Sequence, residues 1–205
     1  EKEITGDAIE SITLSSFLLS KTKYSKIFGT FSTFAYEPEL VAHVASRLNI
    51  EFKNRFAINI VGGWKKDEFD YFKKEYLDSS KKVYEFAATW TDRFISAEKA
   101  HYKTLSSIIG SDIQNKRTEI MCAAFSKEGR EFAKKYADSL FTTIRKNHLL
   151  NVVGTDNVSS AMSLFVGNTL SEAKDYYKFL LDKDVDQKAA ENFISELSYS
   201  NPLKG

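Results

Sequence analysis

The apolar positions of this chain fall into two alternating rhythms. Residues 7–20 set Ile9, Ile12, Leu14, Phe17 and Leu18 at helical spacing. Next comes Lys26-Ile27-Phe28-Gly29-Thr30-Phe31-Ser32-Thr33, a run of aromatics and hydroxyls that predicts a strand. Glu37-Pro38 opens a second helix, because proline fits the first helical turn. Its apolar face is Leu40, Val41, Val44, Ala45 and Leu48. Phe56-Ala57-Ile58-Asn59-Ile60-Val61 is almost continuously apolar, as a strand covered on both faces is. Gly62-Gly63 ends it. Residues 66–95 read as helical, with Tyr84, Phe86, Ala87 and Trp90 on one side. Residues 96–117 are the least periodic stretch and read as an excursion. Strands are expected at 119–125, 139–144 and 161–166, and helices at 127–137, 170–182 and 186–198.

Strands alternating with helices argue for a parallel sheet flanked by helices. A doubly wound sheet and a β/α barrel both satisfy the pattern, and each requires right-handed crossovers. About five strands can be counted, whereas a closed barrel needs eight and about 250 residues. The 205 residues therefore fit a shortened barrel, an open sheet or part of a longer protein. No repeat of solenoid period and no linker-like stretch divides residues 1–205, so a single domain is expected.

Composition narrows the functional classes. At 42% hydrophobic and 28% charged residues the chain can build a real core. A net charge of +1 gives no global field to attract nucleic acid or an anionic membrane. No apolar run has the length of a membrane span. One cysteine, Cys122, permits no internal disulfide, which fits a reducing, cytoplasmic setting. The start, Glu1-Lys2-Glu3-Ile4, has neither an initiator methionine nor an apolar signal core, so a processed or partial product is expected. The 16 Phe and 10 Tyr imply a thick interior or an aromatic-lined pocket.

In either architecture ligands bind at the carboxyl ends of the strands. Those ends read Ser32 and Thr33, Asn59 through Gly63, Ala124 through Ser126, and Thr142-Thr143; plain turns explain them equally well. The sharpest local signal is Phe125-Ser126-Lys127-Glu128-Gly129-Arg130. Ser126 stands where a helix cap belongs, and the unpaired amides there make an anion site that Ser126 and Lys127 could complete. The competing reading is an ordinary serine cap. Gly62-Gly63 is no dinucleotide fingerprint, and serves either a turn or close approach of a flat ligand. His43, His101 and His148 lie far apart without ligand spacing, so no zinc site is expected. Cys122, mid-strand among apolar neighbours, reads as a buried inert thiol.

Several segments, in order, resemble the bacterial luciferase-like flavin monooxygenases, in the branch of alkanesulfonate, dimethyl-sulfone and pyrimidine monooxygenases. They are Ser11-Ile12-Thr13-Leu14, Ile27 through Thr33 and Glu37 through Ala42. The strongest is Asn54-Arg55-Phe56-Ala57-Ile58-Asn59-Ile60-Val61-Gly62-Gly63-Trp64, followed by Asp67-Glu68-Phe69. Ala123 through Ala133 and Leu164 through Thr169 complete the series. The resemblance implies a β/α barrel, here shortened, without the family's first strand-helix units and its last. It implies reduced FMN supplied by a separate flavin reductase, O2 as co-substrate, a small organic substrate, organosulfur compounds included, and a homo- or hetero-oligomer. Matched residue by residue, Ser126 would hold the flavin phosphate, Asn59 would approach the ring or ribityl chain, and Thr33 and Gly62 would line the ring's edge. Ser79, Lys82 and Val83 stand where this branch has His, Arg and Tyr. That departure leaves catalytic residues unassigned. It supports an alternative, a non-catalytic flavin-binding or partner subunit. An α/β protein without cofactor remains if every strand end is a plain turn.

Overall fold

The computed structural model describes residues 9–63, 66–110, 117–124, 126–143, 158–161, 166–182, 187–188 and 191. The chain divides into two compact units, residues 9–160 and residues 1–8 with 161–205. In the first, α1 (Ser11–Lys21) leads into β1 (Ile27–Ser32), α2 (Pro38–Glu51) into β2 (Phe56–Val61), and the short α3 (Lys66–Tyr71) precedes α4 (Ser80–Ile109). Then follow β3 (Glu119–Ala123), α5 (Lys127–Tyr136), β4 (Ser139–Thr143) and β5 (Val158–Ala161). The sheet order is β1-β2-β3-β4-β5, and β1 through β4 pair in parallel. This is the α/β architecture that the alternation predicts, with parallel strands and helical crossovers.

The pleat gives the sheet two chemically different faces. Ile27, Gly29 and Phe31 pair with Phe56, Ile58 and Ile60; Ile58 and Ile60 pair in turn with Ile120 and Cys122. With Leu140 these residues join one core with Val41, Ala42 and Ala45 of α2 and Ala87, Trp90 and Phe94 of α4. The other face carries Thr30, Ser32, Asn59, Met121 and Ser139, since side chains alternate along a strand. One face is therefore greasy and covered by helices, and the other is rich in hydroxyl and amide groups.

Two readings of the helices need correction. Residues 66–95 are not one helix: α3 ends at Tyr71, Lys73 adopts a left-handed φ of 54°, and Ser79 restarts the chain as the cap of α4. Nor are residues 96–109 an excursion. They continue α4 to Ile109, where Gly110 closes it at φ 69°. Periodicity misses this half because polar side chains occupy inward positions: Glu98 is only 2% exposed, one turn after Phe94 and seven residues before buried Leu105. β5, Val158–Ala161, reaches the first residue of the strand expected at 161–166. Residues 162–165, and most of the helix expected at 186–198, lie outside the described residues.

The amino-terminal end of the sheet is stitched together by polar groups. The Glu98 carboxylate of α4 accepts hydrogen bonds from the Thr118 amide, at 3.2 Å to each oxygen, and from the Thr118 hydroxyl. Asn49 of α2 donates to that hydroxyl at 2.8 Å and accepts from the Phe56 amide at 2.9 Å. One chain of bonds thus runs from α4 through β3 to α2 and β2. Lys26 pairs with Glu119 and Arg117 with Asp138 around it. Burial holds the Glu98 carboxyl above its ordinary pKa, against the opposing effect of the Thr118 bonds.

In the second unit, α6 (Leu170–Asp182) matches the helix expected at 170–182. Its start is a reciprocal cap. The Thr169 hydroxyl accepts from the Glu172 amide at 3.2 Å, and the Glu172 carboxylate accepts from the Asn168 amide at 2.8 Å.

Candidate functional site

The carboxyl ends of β1, β2 and β3 gather four of the five residues singled out in the sequence. Asn59 lies two residues before the end of β2, on the polar face. The register sets it between Thr30 of β1 and Met121 of β3, and Met121 opposite Ser139 of β4. Its Nδ2 donates to Thr30 Oγ1 at 3.2 Å. Its Oδ1 is buried without a partner, and so is the Ser139 hydroxyl. Leaving such an atom unpaired costs roughly 1–3 kcal/mol, so each is a group waiting for a bond.

Thr33 extends the pairing by one residue, its amide donating to the Val61 carbonyl at 3.1 Å. That bond sets Thr33 beside Gly62. Thr33 is buried, and its hydroxyl also lacks a partner. Gly62 has a packing reason to be glycine: a Cβ there would meet Val83 Cγ1 at 2.1 Å. Val83, in the first turn of α4, thus occupies the space over the β2 end. Gly63 has φ +81°, and a Cβ would meet the Phe34 ring at 2.2 Å. Both glycines let side chains close directly over the strand end.

Ser126 caps α5, as its sequence context predicts. Its hydroxyl accepts from the Gly129 amide at 3.1 Å, and its carbonyl accepts from Arg130. The cap leaves the hydroxyl proton free to donate, and the first-turn amides of residues 127 and 128 have no acceptor within the helix. Lys127 lines a groove of about 400 Å³ between α4 and α5, together with Lys81, Tyr84, Glu85, Glu128 and Glu131.

Sequence reasoning passed over Tyr84, which it assigned to the apolar side of a helix. A Cβ on Gly129 would meet the Tyr84 hydroxyl oxygen at 2.5 Å, so that phenol stands against the first turn of α5. Burial, then the neighbouring Cys122 and Glu128, pushes the phenol well above its ordinary pKa, and it remains a donor at neutral pH. The residues at the positions of the family's His, Arg and Tyr have structural partners. Ser79 accepts from the Lys82 amide at 3.4 Å, Lys82 pairs with Asp78 at 2.9 Å, and Val83 covers Gly62.

Two further expectations can be weighed here. Cys122 is buried, and burial pushes its thiol up to about 12, as an inert cysteine requires. His43 and His101, read as distant, are not: α2 and α4 bring their rings to 4.5 Å, edge to face. Burial, then the charges of His43 and Arg47, lower the His101 pKa. Among the described residues no group of three or more His, Cys, Asp or Glu could hold a metal. His148 lies outside the described residues. No described helix is long and apolar enough to cross a membrane.

The comparisons with known proteins agree with this arrangement. No protein-family model matches the chain. Among solved structures, the long-chain alkane monooxygenase LadA superimposes with a TM-score of 0.77 at 17% identity, over 98% of this chain and 56% of that one. The EDTA monooxygenase EmoA from Chelativorans sp. BNC1 gives 0.66 at 14% identity, over 94% and 54%. The class of fold is therefore a shortened β/α barrel of the luciferase-like type. Curated relatives add sequence similarity. Pyrimidine monooxygenase RutA of Enterobacter cloacae subsp. cloacae is 31% identical over 221 aligned positions, covering 96% of this chain and 60% of that protein. The RutA of Caulobacter sp. (strain K31) is 28% identical over 190 positions, covering 89% and 53%. This chain spans about half the length of these relatives. Homologues and structural neighbours together place it in the luciferase-like flavin monooxygenase family.

Proposed function

We propose that this chain carries the flavin-binding part of a monooxygenase that uses reduced FMN and O2 on a small organic substrate. The observation that carries the reading is the Asn59 amide: near the end of β2, on the polar sheet face, with Oδ1 buried and unpaired. A ligand bearing N–H groups satisfies that oxygen. The unpaired Thr33 hydroxyl, beside Gly62 at the next strand end, meets the same demand at the ring's edge. The residues present fit a flavin in this respect, and they fit its phosphate as well. The Ser126 hydroxyl, two first-turn amides and the Tyr84 phenol offer donors at the positive end of the α5 dipole.

Bound reduced flavin supplies the electrons with which O2 is split between product and water. The protein's part is to hold and shield. Ser126 and Tyr84 fix the phosphate, Asn59 orients the ring while Thr30 holds its amide group, and the residues packed over Gly62 and Gly63 exclude water. Lys127, out in the α4–α5 groove, contributes charge to the approach and no direct contact. A separate flavin reductase delivers the cofactor, the assembly is an oligomer, and the setting is cytoplasmic. The pyrimidine, alkane and EDTA compounds in the names of these relatives and structural neighbours leave the organic substrate open, organosulfur compounds included.

Titration with FMN, oxidised and then reduced, tests the proposal. Quenching of flavin fluorescence that is lost in Ser126→Asp supports it, and an unchanged flavin spectrum at saturating protein overturns it. The structural roles of Ser79, Lys82 and Val83 favour a second reading, flavin binding without turnover. Tight binding with no oxygenated product, under reduced flavin and O2, selects that one.

A further inference from the structure

The helical layer of the first unit brings together two imidazoles that the flavin contacts do not use. His43 lies midway along α2, and His101 in the carboxyl half of α4. Their rings stand 4.5 Å apart between centroids, with 61° between their planes. His43 is exposed and His101 half-buried, so the pair opens to solvent. The Nε2 atom of His101 is nevertheless buried and has no hydrogen-bond partner. A packed histidine ordinarily spends such an atom on a carbonyl or a carboxylate. The helices hold both rings in place. One turn before His43, Glu39 accepts two bonds from Arg93 of α4, at 2.9 and 2.8 Å. Six residues after it, Asn49 shares the Thr118 hydroxyl with Glu98 of α4.

The spacing suits a shared ion. Imidazole nitrogens bind transition metals at about 2.0–2.1 Å, which sets two rings on one ion about 4.5–5 Å apart between centres. Packed aromatic pairs reach that spacing too, and the unpartnered nitrogen separates the two explanations. Arg47, one turn after His43, sets its positive charge against His101. A hard, strongly hydrated ion gains nothing there to offset that repulsion, which excludes Mg2+ and Ca2+. An ion that bonds strongly to imidazole overcomes it.

We propose that His43 and His101 form a two-imidazole site for a divalent transition cation, with water completing the coordination, and that the bound ion clamps α2 to α4. Two protein ligands make an open site, weaker than a zinc centre built from three or four. Among first-row ions Cu2+ should bind most tightly, ahead of Ni2+ and Zn2+. The inference stands apart from the flavin reading.

The experiment titrates the full chain at neutral pH with CuCl2 and, separately, with MgCl2, followed by electron paramagnetic resonance and by urea unfolding. One Cu2+ with the hyperfine pattern of two nitrogen ligands is expected, and an unfolding midpoint that rises with Cu2+ but not with Mg2+. His43→Ala and His101→Ala should each weaken Cu2+ about tenfold and cancel the rise in midpoint, while His148→Ala changes neither. Arg47→Gln should tighten binding about twofold, as the loss of an exposed like charge does. His43→Gln, at an exposed position, carries the test if His101→Ala does not fold. A signal from one nitrogen, a midpoint indifferent to Cu2+, or affinity that falls only in His148→Ala overturns the inference.

Discussion

The two ends of the sheet use polar groups in opposite ways. At the amino-terminal end, Glu98, Thr118, Asn49 and the Phe56 amide spend their donors and acceptors on one another. Among the described residues there, the Tyr102 hydroxyl, buried beside them, and the Ser139 hydroxyl at the start of β4 lack a bond of good geometry. At the carboxyl end the Thr33 hydroxyl and the Asn59 carbonyl are buried with nothing to bond. The first arrangement rigidifies, because every satisfied buried group adds to stability. The second gives up stability at a place where a ligand can return it. In barrels of parallel strands these are the stability face and the chemical face.

Breaking the amino-terminal network should have the largest effect. Glu98→Ala leaves the Thr118 amide and hydroxyl buried without acceptors and opens a cavity, and should cost about 3 kcal/mol, read from urea unfolding. Next is Gly62→Ala, which drives a methyl group into Val83. A loss of about 2 kcal/mol is expected from overpacking, with partial recovery in the Gly62→Ala, Val83→Ala double variant. Ser126 separates the cap from the ligand. Ser126→Ala should lose about 1 kcal/mol of stability. Ser126→Asp should keep the cap and abolish FMN binding, since a carboxylate then faces the phosphate. Asn59→Ala sharpens the contrast from the other end: it removes one 3.2 Å bond, so unfolding should shift by less than about 1 kcal/mol, while FMN affinity falls about tenfold.

The smallest effect is a pH dependence. Burial raises the Glu98 pKa in the native state above its unfolded value near 4.5. In that window the native state binds more protons than the unfolded one, so stability falls as pH rises through it. The contribution is fully present below the unfolded value and lost above the native one. Melting temperatures of wild type minus Glu98→Gln, from pH 4 to 8, should trace that decline. A flat difference would remove burial as the cause.

The strands and most helices were legible because their cores obey simple periods. Ile58, Ile60, Ile120 and Cys122 follow the strand alternation, and Val41 and Ala45 the helical one. The carboxyl half of α4 was not, since Glu98, His101 and Tyr102 put polar chemistry where an apolar side chain is expected. Those residues find their partners on β3 and α2, a long-range fact that no local window contains. The site divides in the same manner. Asn59 and Ser126 announce themselves as polar residues closing apolar runs. Tyr84 was hidden, because its value lies in a hydroxyl meeting Gly129, more than forty positions away. The histidine pair was missed for the same reason: sequence distance between α2 and α4 says nothing of a 4.5 Å ring contact.

Cys122 sits in the middle of the sheet, where its sulfur is shielded and stays protonated at neutral pH. The chain has no other thiol. It therefore contains its own opening gauge: a maleimide or disulfide reagent can modify it only while β2 and β3 have parted. The labelling rate, measured with and without flavin, reports how firmly an occupant clamps the strands, with no dye or mutation introduced.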